Sequence, residues 1–419
     1  MSSGLPTVRA VRILHTSDWH LGRSFHRVDL LSAQAAQIDH LVEVVKAESV
    51  DVVIVAGDVY DRALPGVDAV QLLDEALLRL TGAGATVIVS SGNHDSARRL
   101  GFGSRLLAQA GVHVRTDPAR VGEPVRLRDE HGEVAFYPLP YLEPALTADP
   151  LGAERTQAGV LGAAMTAVRA DLAGRPGVRS VVSAHAFVTG GLASDSEREL
   201  AVGGLGQVGA ETFAGVDYVA LGHLHGRQQV SPNVRYSGSP LAFSFGEADQ
   251  RKGSWLITLG AGGVEQVESI EAPVPRRLAR LRGTLDDLLA QDRFATAETA
   301  WCQVTLTDPA RPAEPMERLR HRFPHVLELR LEPAAGAGAG VGYTARVAGQ
   351  GDLEVCCGFL EHVRQRPASG PESLLLQQAL EASLLDRMEG VRPARADSPT
   401  ADVDLDESIA RAERVERGA

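Results

Sequence analysis

Five segments of the chain place aspartate, asparagine or histidine directly after a stretch of apolar residues. The candidate side chains are Asp18 and His20 in DWH, Asp58 in GD, Asn93 and His94 in GNHD, His185 in SAH, and His223 and His225 in GHLH. Carboxylate, amide and imidazole groups bind divalent ions such as manganese and iron, and the absence of cysteine from the set argues against a structural zinc site. The pattern therefore predicts a site for divalent metal ions.

Each segment also has a simpler explanation when it is taken alone. His185 could be a hydrogen-bonded core histidine, and GHLH could be a turn with two exposed imidazoles. GNHD could be a turn in which asparagine and aspartate bond to the nearby backbone. The metal-site interpretation is favoured because the same arrangement, an apolar strand followed by a ligand-type side chain, occurs five times.

Asp58 has the central position in this pattern. The five residues before Gly57, from Val52 to Ala56, are too few for a helix and rich in β-branched side chains, so they predict a buried strand. Asp58 could cap a following helix, or it could bind a ligand at the carboxyl end of the strand, where open α/β sheets hold theirs. A carboxylate can bridge two ions about 4 Å apart and lower their repulsion, which imidazole does poorly. Asp58 is therefore the expected bridging ligand.

The elements around these residues alternate between strand and helix. Strands are predicted from Val11, up to Ala56 and from Ala85, with helices between them, and this βαβαβ order predicts parallel strands with right-handed crossovers. Later strands ending at His185 and Gly222 are expected to bring their ligands into the same α/β layer. NVRYSGSP and GSWLITLG have the character of strands at a sheet edge.

Composition limits the class of protein. The 419 residues are 44% hydrophobic, enough for more than one core, and no apolar run approaches the roughly 20 residues of a membrane span. Without a signal-peptide h-region at the N-terminus, a soluble cytoplasmic protein with no membrane association is expected. Cys302, Cys356 and Cys357 lack CxxC spacing and are expected to be buried thiols in a reducing compartment.

The net charge of -12 argues against a protein that coats nucleic acid by bulk attraction. A nucleic-acid enzyme remains possible if divalent cations, a local basic groove or a basic partner offset the charge.

The second half of the chain predicts further domains. A long glycine- and serine-rich loop precedes the last ligand segment, and the two prolines and basic pair of APVPRR suggest a boundary near residue 272. Beyond it, strand, helix and strand patterns suggest a small α+β domain, followed by the glycine-rich linker 336–342, two helices and an acidic tail expected to be disordered. The predicted domains are 1–272, 273–345, 346–390 and 391–419.

The ordered motifs DxH, GD, GNHD, H and GHxH resemble those of the calcineurin-like metallophosphoesterase superfamily from Val11 to His225. The sequence also resembles bacterial nuclease subunits that work with a coiled-coil ATPase. The resemblance rests on the chain length and on the motifs TSDWHLG, VAGDVYD, GNHDS, ALGHLHG and YSGSPLAFSFGE. The resemblance implies a four-layer α/β/β/α sandwich with a small α+β capping domain and a C-terminal helical segment.

The resemblance also implies roles for the candidate residues. One ion would be held by Asp18, His20, Asp58 and His225, and a second by Asp58, Asn93, His185 and His223. The two ions would usually be manganese. His94 matches the catalytic histidine, which stabilises or protonates the leaving oxygen of a phosphodiester. Asp61 could orient His94, and its role is left open.

The implied function is that of a metal-dependent DNA phosphodiesterase in replication, recombination and repair. It would act as an exonuclease on duplex ends and an endonuclease on single-stranded or hairpin DNA. The chain has no GxxxxGK[ST] motif, so ATP would be used by the coiled-coil ATPase partner. Homodimer formation is a further family expectation.

Three questions stay open at this level. Arg276, Arg277, Arg280 and Arg282 could contact phosphates or form a solvated face, and the helices from Leu353 to Leu385 could bind the ATPase or the capping domain. The same metal site would also suit a phosphoprotein or small-molecule phosphoesterase. A non-enzymatic scaffold that binds DNA ends is a third possibility.

Overall fold

The computed structural model describes residues 9–194, 206–333, 350–364 and 366–389. The chain divides into two compact units, Met1–Ala334 and Ala335–Ala419. The predicted linker 336–342, the acidic tail 391–419 and part of the glycine- and serine-rich loop lie outside the described residues.

The elements follow one another in this order. The strands are β1 Val11–Thr16, β2 Ser24–Phe25, β3 Val28–Asp29, β4 Val52–Ala56, β5 Thr86–Ser90, β6 Val112–Arg115, β7 Val125–Asp129, β8 Gly132–Pro138, β9 Arg179–His185, β10 Phe187–Val188, β11 Gln207–Val208, β12 Tyr218–Gly222, β13 Gln228–Ser231, β14 Val234–Tyr236, β15 Gly253–Gly260, β16 Gly263–Glu271, β17 Leu278–Gly283, β18 Trp301–Leu306 and β19 Val326–Leu331. The α-helices are α1 Leu31–Ala47, α2 Val67–Gly82, α3 Ala97–Leu100, α4 Ser104–Leu107, α5 Pro144–Leu151, α6 Gln157–Ala173, α7 Leu285–Ala290, α8 Pro315–Arg322, α9 Asp352–Arg364 and α10 Gly370–Glu389.

Two six-stranded sheets form the larger part of the first unit. The first has the order β16-β15-β1-β4-β5-β6 and the second the order β13-β14-β12-β9-β8-β7. Strands β1, β4 and β5 are parallel to one another, as the βαβαβ pattern predicted. The prediction of edge strands is wrong, because β14 lies between β13 and β12 and β15 lies between β1 and β16. Strand β16 was missed because its charged residues leave only a weak apolar alternation.

The apolar run of β4 is explained by burial on both faces. Val52 and Ile54 belong to a core between the two sheets, which the second sheet completes with side chains such as Phe136. Val53 and Val55 point the other way, into the core beneath α1 and α2. A strand covered on both faces has no polar side to show, so it reads as a continuous apolar run.

A corresponding core under α5 and α6 covers the outer face of the second sheet. The architecture is therefore the four-layer α/β/β/α sandwich. The ligand-bearing strands do not share one sheet, however: β1, β4 and β5 belong to the first, whereas β9 and β12 belong to the second. The expectation of a single layer is wrong in this respect, because the chain returns in a second sheet that stacks on the first.

A buried ion pair joins the two sheets at the amino end of β1. Arg179 Nη1 donates to Asp129 Oδ2 at 2.9 Å and to the Leu259 carbonyl at 3.0 Å, while Asp129 Oδ2 also accepts from the Val11 amide at 3.0 Å. The side chains of Arg179 and Asp129 are only 4% and 5% exposed. The pair therefore links strands of both sheets inside the protein.

A smaller body follows the second sheet. Strands β17, β18 and β19 form a parallel sheet, packed with α7 and α8 around a core that includes Leu288, Val304 and Phe323. A separate apolar cluster joins it to the sandwich: Phe25 and Phe245 are buried there and Trp301 packs against them.

The second unit contains α9 and α10. Phe359, Leu374 and Leu375 are more than half exposed on these helices. Cys302 is buried, but Cys356 and Cys357 on α9 are partly exposed, so the expectation of buried thiols is wrong for these two. No helix in the described ranges combines the length and apolar character needed to cross a membrane.

Candidate metal centre

The eight candidate residues lie at the carboxyl ends of strands from both sheets. Asp18 and His20 follow β1, Asp58 follows β4, Asn93 and His94 follow β5, His185 ends β9, and His223 and His225 follow β12. The two carboxylates and the imidazoles of His20, His185, His223 and His225 are buried. The structure therefore brings together residues that are separated by more than two hundred positions.

The backbone at this centre is strained. Asp18, His20, Asp58 and His223 have positive φ values of 53°, 44°, 48° and 102°. Such values are uncommon for residues with a Cβ, and they persist where the surroundings over-determine them. Here the amides of Asp18 and His20 donate to the carbonyls of Gly57 and Asp58 at 3.1 and 3.0 Å. The loop after β1 is thus held against the loop after β4.

Two glycines allow the backbones to approach this closely. A Cβ on Gly222 would lie 1.8 Å from the carbonyl oxygen of Ala56, so β12 and β4 could not meet here with any larger residue. A Cβ on Gly92 would lie 2.3 Å from the backbone nitrogen of Asp58. Because the obstacles are backbone atoms, a side chain could not simply rotate away.

Asp18, His20 and His225 form one group of possible ligands. One carboxylate oxygen and two ring nitrogens of these residues all lie within 4.8 Å of one another. The Nε2 atoms of His20 and His225 are 3.2 Å apart. If both imidazoles are neutral, at least one of these nitrogens can be an acceptor directed at the shared space, and a cation there would satisfy it.

A second group within the same distance comes from Asp18, Asp58 and His185. Asp58 Oδ2 is 3.4 Å from His185 Nε2 and 3.6 Å from His20 Nε2, so it lies between the two groups. Asn93 Oδ1 is 2.9 Å from His185 Nε2. Both carboxylates thus lie where a ligand shared by two ions would lie: Asp18 belongs to both groups, and Asp58 lies between their imidazoles.

His223 is less directly engaged. Its ring centroid is 5.3 Å from that of His185, and its backbone amide donates to Asp18 Oδ1 at 2.9 Å. Within the described residues it belongs neither to these two groups nor to a third group of possible ligands, formed by His20, Asp58 and His94. Its role as a ligand stays a prediction.

Burial and the neighbouring charges shift the pKa values of the two carboxylates in opposite directions. Burial raises the pKa of Asp18 to about 6. Burial also opposes ionisation of Asp58, but His185 and the other imidazoles outweigh it and hold the pKa of Asp58 well below its usual range.

The imidazoles show the same competition. Burial tends to lower the pKa of His185, but Asp58 raises it to about 9. Burial lowers the pKa of His223 to about 3 and that of His20 well below its ordinary value. Ionised carboxylates and neutral imidazoles are the forms that bind metal. Asp58, His20 and His223 already have these forms near neutral pH, whereas His185 would release a proton when a divalent cation binds.

His94 differs from the buried residues because its side chain is 39% exposed. Its Nδ1 lies 2.9 Å from the backbone carbonyl of Asp61, which can only accept, so Nδ1 carries the proton. Its Nε2 is 3.9 Å from Asp58 Oδ2. The Asp61 carboxylate instead lies 3.7 Å from His20 Nδ1. Asp61 thus holds His94 through its backbone and not through its side chain.

Sequence reasoning missed a buried ion pair behind His225. Glu247 Oε1 is 3.5 Å from His225 Nδ1, and the other carboxylate oxygen contacts Lys252. Lys252 Nζ donates to the His225 carbonyl at 2.8 Å and to Ser239 Oγ at 3.0 Å. Burial would raise the pKa of Glu247, but Lys252 holds it well below its usual range. The only signal was the opposite charge of Glu247 and Lys252, five residues apart in the polar segment EADQRK.

Asp95 was also passed over as a supporting residue. Its carboxylate accepts from the amides of Val59 at 3.1 Å, Tyr60 at 2.9 Å and Gly92 at 2.9 Å. It therefore fastens the loop that carries Asn93 to the loop that follows Asp58.

Comparison with known proteins accords with this geometry. Residues 11–227 match the family model of calcineurin-like phosphoesterases, which is more than half of the chain. The chain belongs to this family of metal-dependent hydrolases. Residues 274–364 match a second model, SbcD_C, described as type 5 capsule protein repressor C-terminal domain. The two matches in this order are those of the SbcD nuclease subunits within the metallophosphoesterase superfamily.

Two solved structures are distantly similar to the chain. The protein TT1561 of Thermus thermophilus is 12% identical over 63% of this chain and 99% of its own, with a TM-score of 0.36. GAP50, the anchor in the inner membrane complex of Plasmodium, is 11% identical over 79% of this chain and 100% of its own, with a TM-score of 0.35. Both TM-scores are too low to support a statement about this chain.

Proposed function

We propose that the chain is the nuclease subunit of an SbcCD-type complex, a manganese-dependent DNA phosphodiesterase. It would cut duplex ends as an exonuclease and single-stranded or hairpin DNA as an endonuclease, in replication, recombination and repair. The observation that carries the proposal is the convergence of the candidate ligands around Asp58, in a chain whose residues 274–364 match the SbcD C-terminal model.

The proposed ligand sets share Asp58. One ion would be held by Asp18, His20, Asp58 and His225, and the other by Asp58, Asn93, His185 and His223. Divalent ions there would supply a more acidic water nucleophile and neutralise charge on the scissile phosphate. The chain itself holds the carboxylates and imidazoles in place through the strained loops and the close approach of β4 to β12.

His94 is proposed as the residue that manages the leaving group. Its Nδ1–H is fixed by the Asp61 carbonyl, which leaves Nε2 as the atom that carries or releases a proton. Its partial exposure lets Nε2 reach a bound phosphodiester, whereas the buried imidazoles cannot. A protonated Nε2 would donate to the leaving oxygen, as general acid catalysis requires.

The remaining parts receive proposed roles within the boundaries 1–272, 273–345, 346–390 and 391–419. The small domain would cap the site, and it contacts the sandwich through the cluster around Phe25 and Trp301. In the sandwich, the ring of Phe243 from the same cluster lies 5.3 Å from that of His20 and 5.5 Å from that of His225. This gives a contact path from the capping domain to the metal centre.

Partners follow from the same proposal. Helices α9 and α10 would bind the coiled coil of an SbcC-type ATPase, because Phe359, Leu374 and Leu375 present apolar surface suited to helix packing. A homodimer and a cytoplasmic location are the further expectations, and the free thiols accord with a reducing compartment.

The test is cleavage of a hairpin-ended DNA duplex with manganese, with and without the ATPase subunit. Cleavage that His94→Ala abolishes, while the variant keeps both ions and DNA binding, is the expected result. Efficient hydrolysis of phosphoproteins or cyclic nucleotides with the hairpin left intact would favour the alternative phosphoesterase. DNA-end binding without any hydrolysis would favour a scaffold.

Asp58→Ala tests the bridging role separately. The variant is expected to lose binuclear loading, because Asp58 Oδ2 lies within 3.6 Å of both His185 Nε2 and His20 Nε2 and alanine has no oxygen to replace it. Elemental analysis of the manganese-treated protein measures this. Two retained ions per chain would disprove the bridge.

A further inference from the structure

An acidic enzyme that acts on DNA needs a local positive surface, and three of the four arginines after the domain boundary are paired within the chain. Arg280 pairs with Asp249, and Arg282 pairs with Glu332 at 2.6 Å. Arg276 donates to the Thr299 carbonyl at 2.7 Å. These contacts favour the interpretation of this stretch as an ordinary polar face.

A different part of the fold concentrates positive charge. Helices α3 and α4, the end of β6 and the turn after it form an open groove of about 550 Å³, lined by Arg98, Arg105, Arg115 and Arg120. Residues 97–120 contain five arginines and one aspartate, a formal charge of +4 in a chain of net charge -12. The single lining acid, Asp117, is engaged by the Ala119 amide at 3.0 Å.

Arg115 is the informative member of this set. It is only partly exposed, and its Nε has no hydrogen-bond partner among the described residues. Burial and the neighbouring Arg120 lower the pKa of Arg115, so its charge is held in an unfavourable place. A buried guanidinium nitrogen without a hydrogen-bond partner costs free energy, and Glu123 offsets the positive charge of Arg115 only in part. Because Arg115 lines the groove, an anion there would offset its charge further.

The other arginines are available to such an anion to different degrees. Arg120 is paired with Glu123 at 2.7 Å. Arg98 and Arg105 are exposed, and within the described chain neither has an ion-pair partner closer than 4 Å. Guanidinium groups bind phosphate oxygens in a bidentate manner, which a compact ammonium group does not reproduce.

The groove is also continuous with the metal centre along the chain. Helix α3 begins three residues after His94, and Leu100, at its end, is buried in the core beneath the first sheet. Arg99 Nη1 donates to the Ala63 carbonyl at 3.2 Å, which holds α3 against the loop after β4. Helix α3 therefore connects the loop that carries His94 to the first lining residues of the groove.

We propose that this arginine groove binds the phosphodiester backbone of the DNA strand that is cut at the metal centre. The inference rests on the proposed nuclease function and adds the path of the substrate. DNA is favoured over an acidic protein segment because the groove begins on the loop that carries His94.

The test compares two variants with the same change of charge. Arg98→Glu/Arg105→Glu alters the groove, and Arg126→Glu/Arg128→Glu alters exposed arginines on β7 as a matched control. Binding of a hairpin-ended duplex is measured without cleavage, in calcium, over a range of salt concentrations. The slope of log K against log[salt] should become shallower by about 2 in the groove variant, because each lost phosphate contact removes about 0.9. The control should change less.

Equal slopes in the two variants would overturn the proposal. Normal DNA binding with loss of binding to the ATPase subunit would overturn it as well and assign the groove to an acidic protein partner. Manganese-dependent hydrolysis of bis(p-nitrophenyl) phosphate, which is too small to span the groove, reports on the metal centre alone. A wild-type protein inactive on this diester and on DNA would refute the proposed function instead.

Arg115→Met provides an independent test. Because the arginine is poorly solvated and unpaired at Nε, the variant should unfold at the same or a higher urea concentration while binding DNA more weakly. A structural role would give the opposite pair of results, with lower stability and unchanged DNA binding, and would contradict the proposal.

Discussion

Replacing Glu247 by glutamine should weaken metal binding on the His225 side of the centre. The carboxylate lies 3.5 Å from His225 Nδ1 and would fix the orientation and tautomer of the ring whose Nε2 faces His20. Loss of such a supporting partner costs about 10- to 100-fold in metal affinity, or about 1.4 to 2.7 kcal/mol. Glutamine keeps the volume of the side chain, so packing is preserved.

The same change leaves Lys252 buried without its carboxylate. Removing one partner of a buried ion pair costs about 3 to 5 kcal/mol of unfolding free energy. Lys252 retains the His225 carbonyl at 2.8 Å, Ser239 Oγ at 3.0 Å and Gln250 Oε1 at 2.8 Å. These neutral acceptors should keep the loss near the lower end of that range.

The double variant Glu247→Gln/Lys252→Met separates the two effects. Urea unfolding of the metal-free proteins should show that the double variant recovers stability relative to Glu247→Gln. Calorimetric titration with manganese should show that its metal affinity stays low. An affinity equal to that of the wild-type protein would refute the reasoning, because Glu247 would then act through stability and not through His225.

Two further predictions concern the sandwich itself. Burial would raise the pKa of Asp129, but its hydrogen bonds with Arg179 hold it below the ordinary value, so its contribution to stability is present above about pH 4 and is lost as pH falls through the folded-state pKa. Asp129→Asn should lower the unfolding free energy, measured in urea, by about 3 to 5 kcal/mol at pH 7 and by less in acid. As a control, Asn in place of the exposed Asp286 should change it by less than about 1 kcal/mol. A loss that does not depend on pH would contradict this prediction. Gly222→Ala should lower both the melting temperature and the affinity for manganese, because its Cβ would meet a backbone carbonyl oxygen. The control Gly162→Ala, in open space on α6, should stabilise the protein by about 0.5 to 1 kcal/mol. Unchanged stability and manganese binding in Gly222→Ala would show that β4 and β12 can separate without harm to the site.

Local patterns were enough to place the ligand-bearing strands. Strand β4 has the predicted bounds Val52–Ala56. The prediction succeeds because an unbroken apolar run reflects burial on both faces, and all five residues of β4 are buried. The location of the candidate ligands could be predicted for the same reason, since the residues that follow a buried parallel strand lie at the carboxyl end of the sheet.

What the sequence could not show depends on contacts between distant segments. The division of the ligands between two sheets was missed because parallel strands of either sheet have the same local pattern. The support of His225 by Glu247 joins residues on separate loops, and the groove is lined by Arg98 and Arg115, which belong to different elements. The unpaired Nε of Arg115 is visible only in the packed structure.

Because the proposed ligands come from both sheets, metal binding is expected to increase the unfolding free energy of the whole sandwich. In the proposed ligand sets, the first sheet would supply Asp18, His20, Asp58 and Asn93, and the second would supply His185, His223 and His225, so neither half would have a complete donor set. Ions that bind only the assembled form add about 2.7 kcal/mol of unfolding free energy when present at 100 times their dissociation constant. A chelator would remove the ions bound between the two sheets, and the two halves would then unfold with less cooperativity.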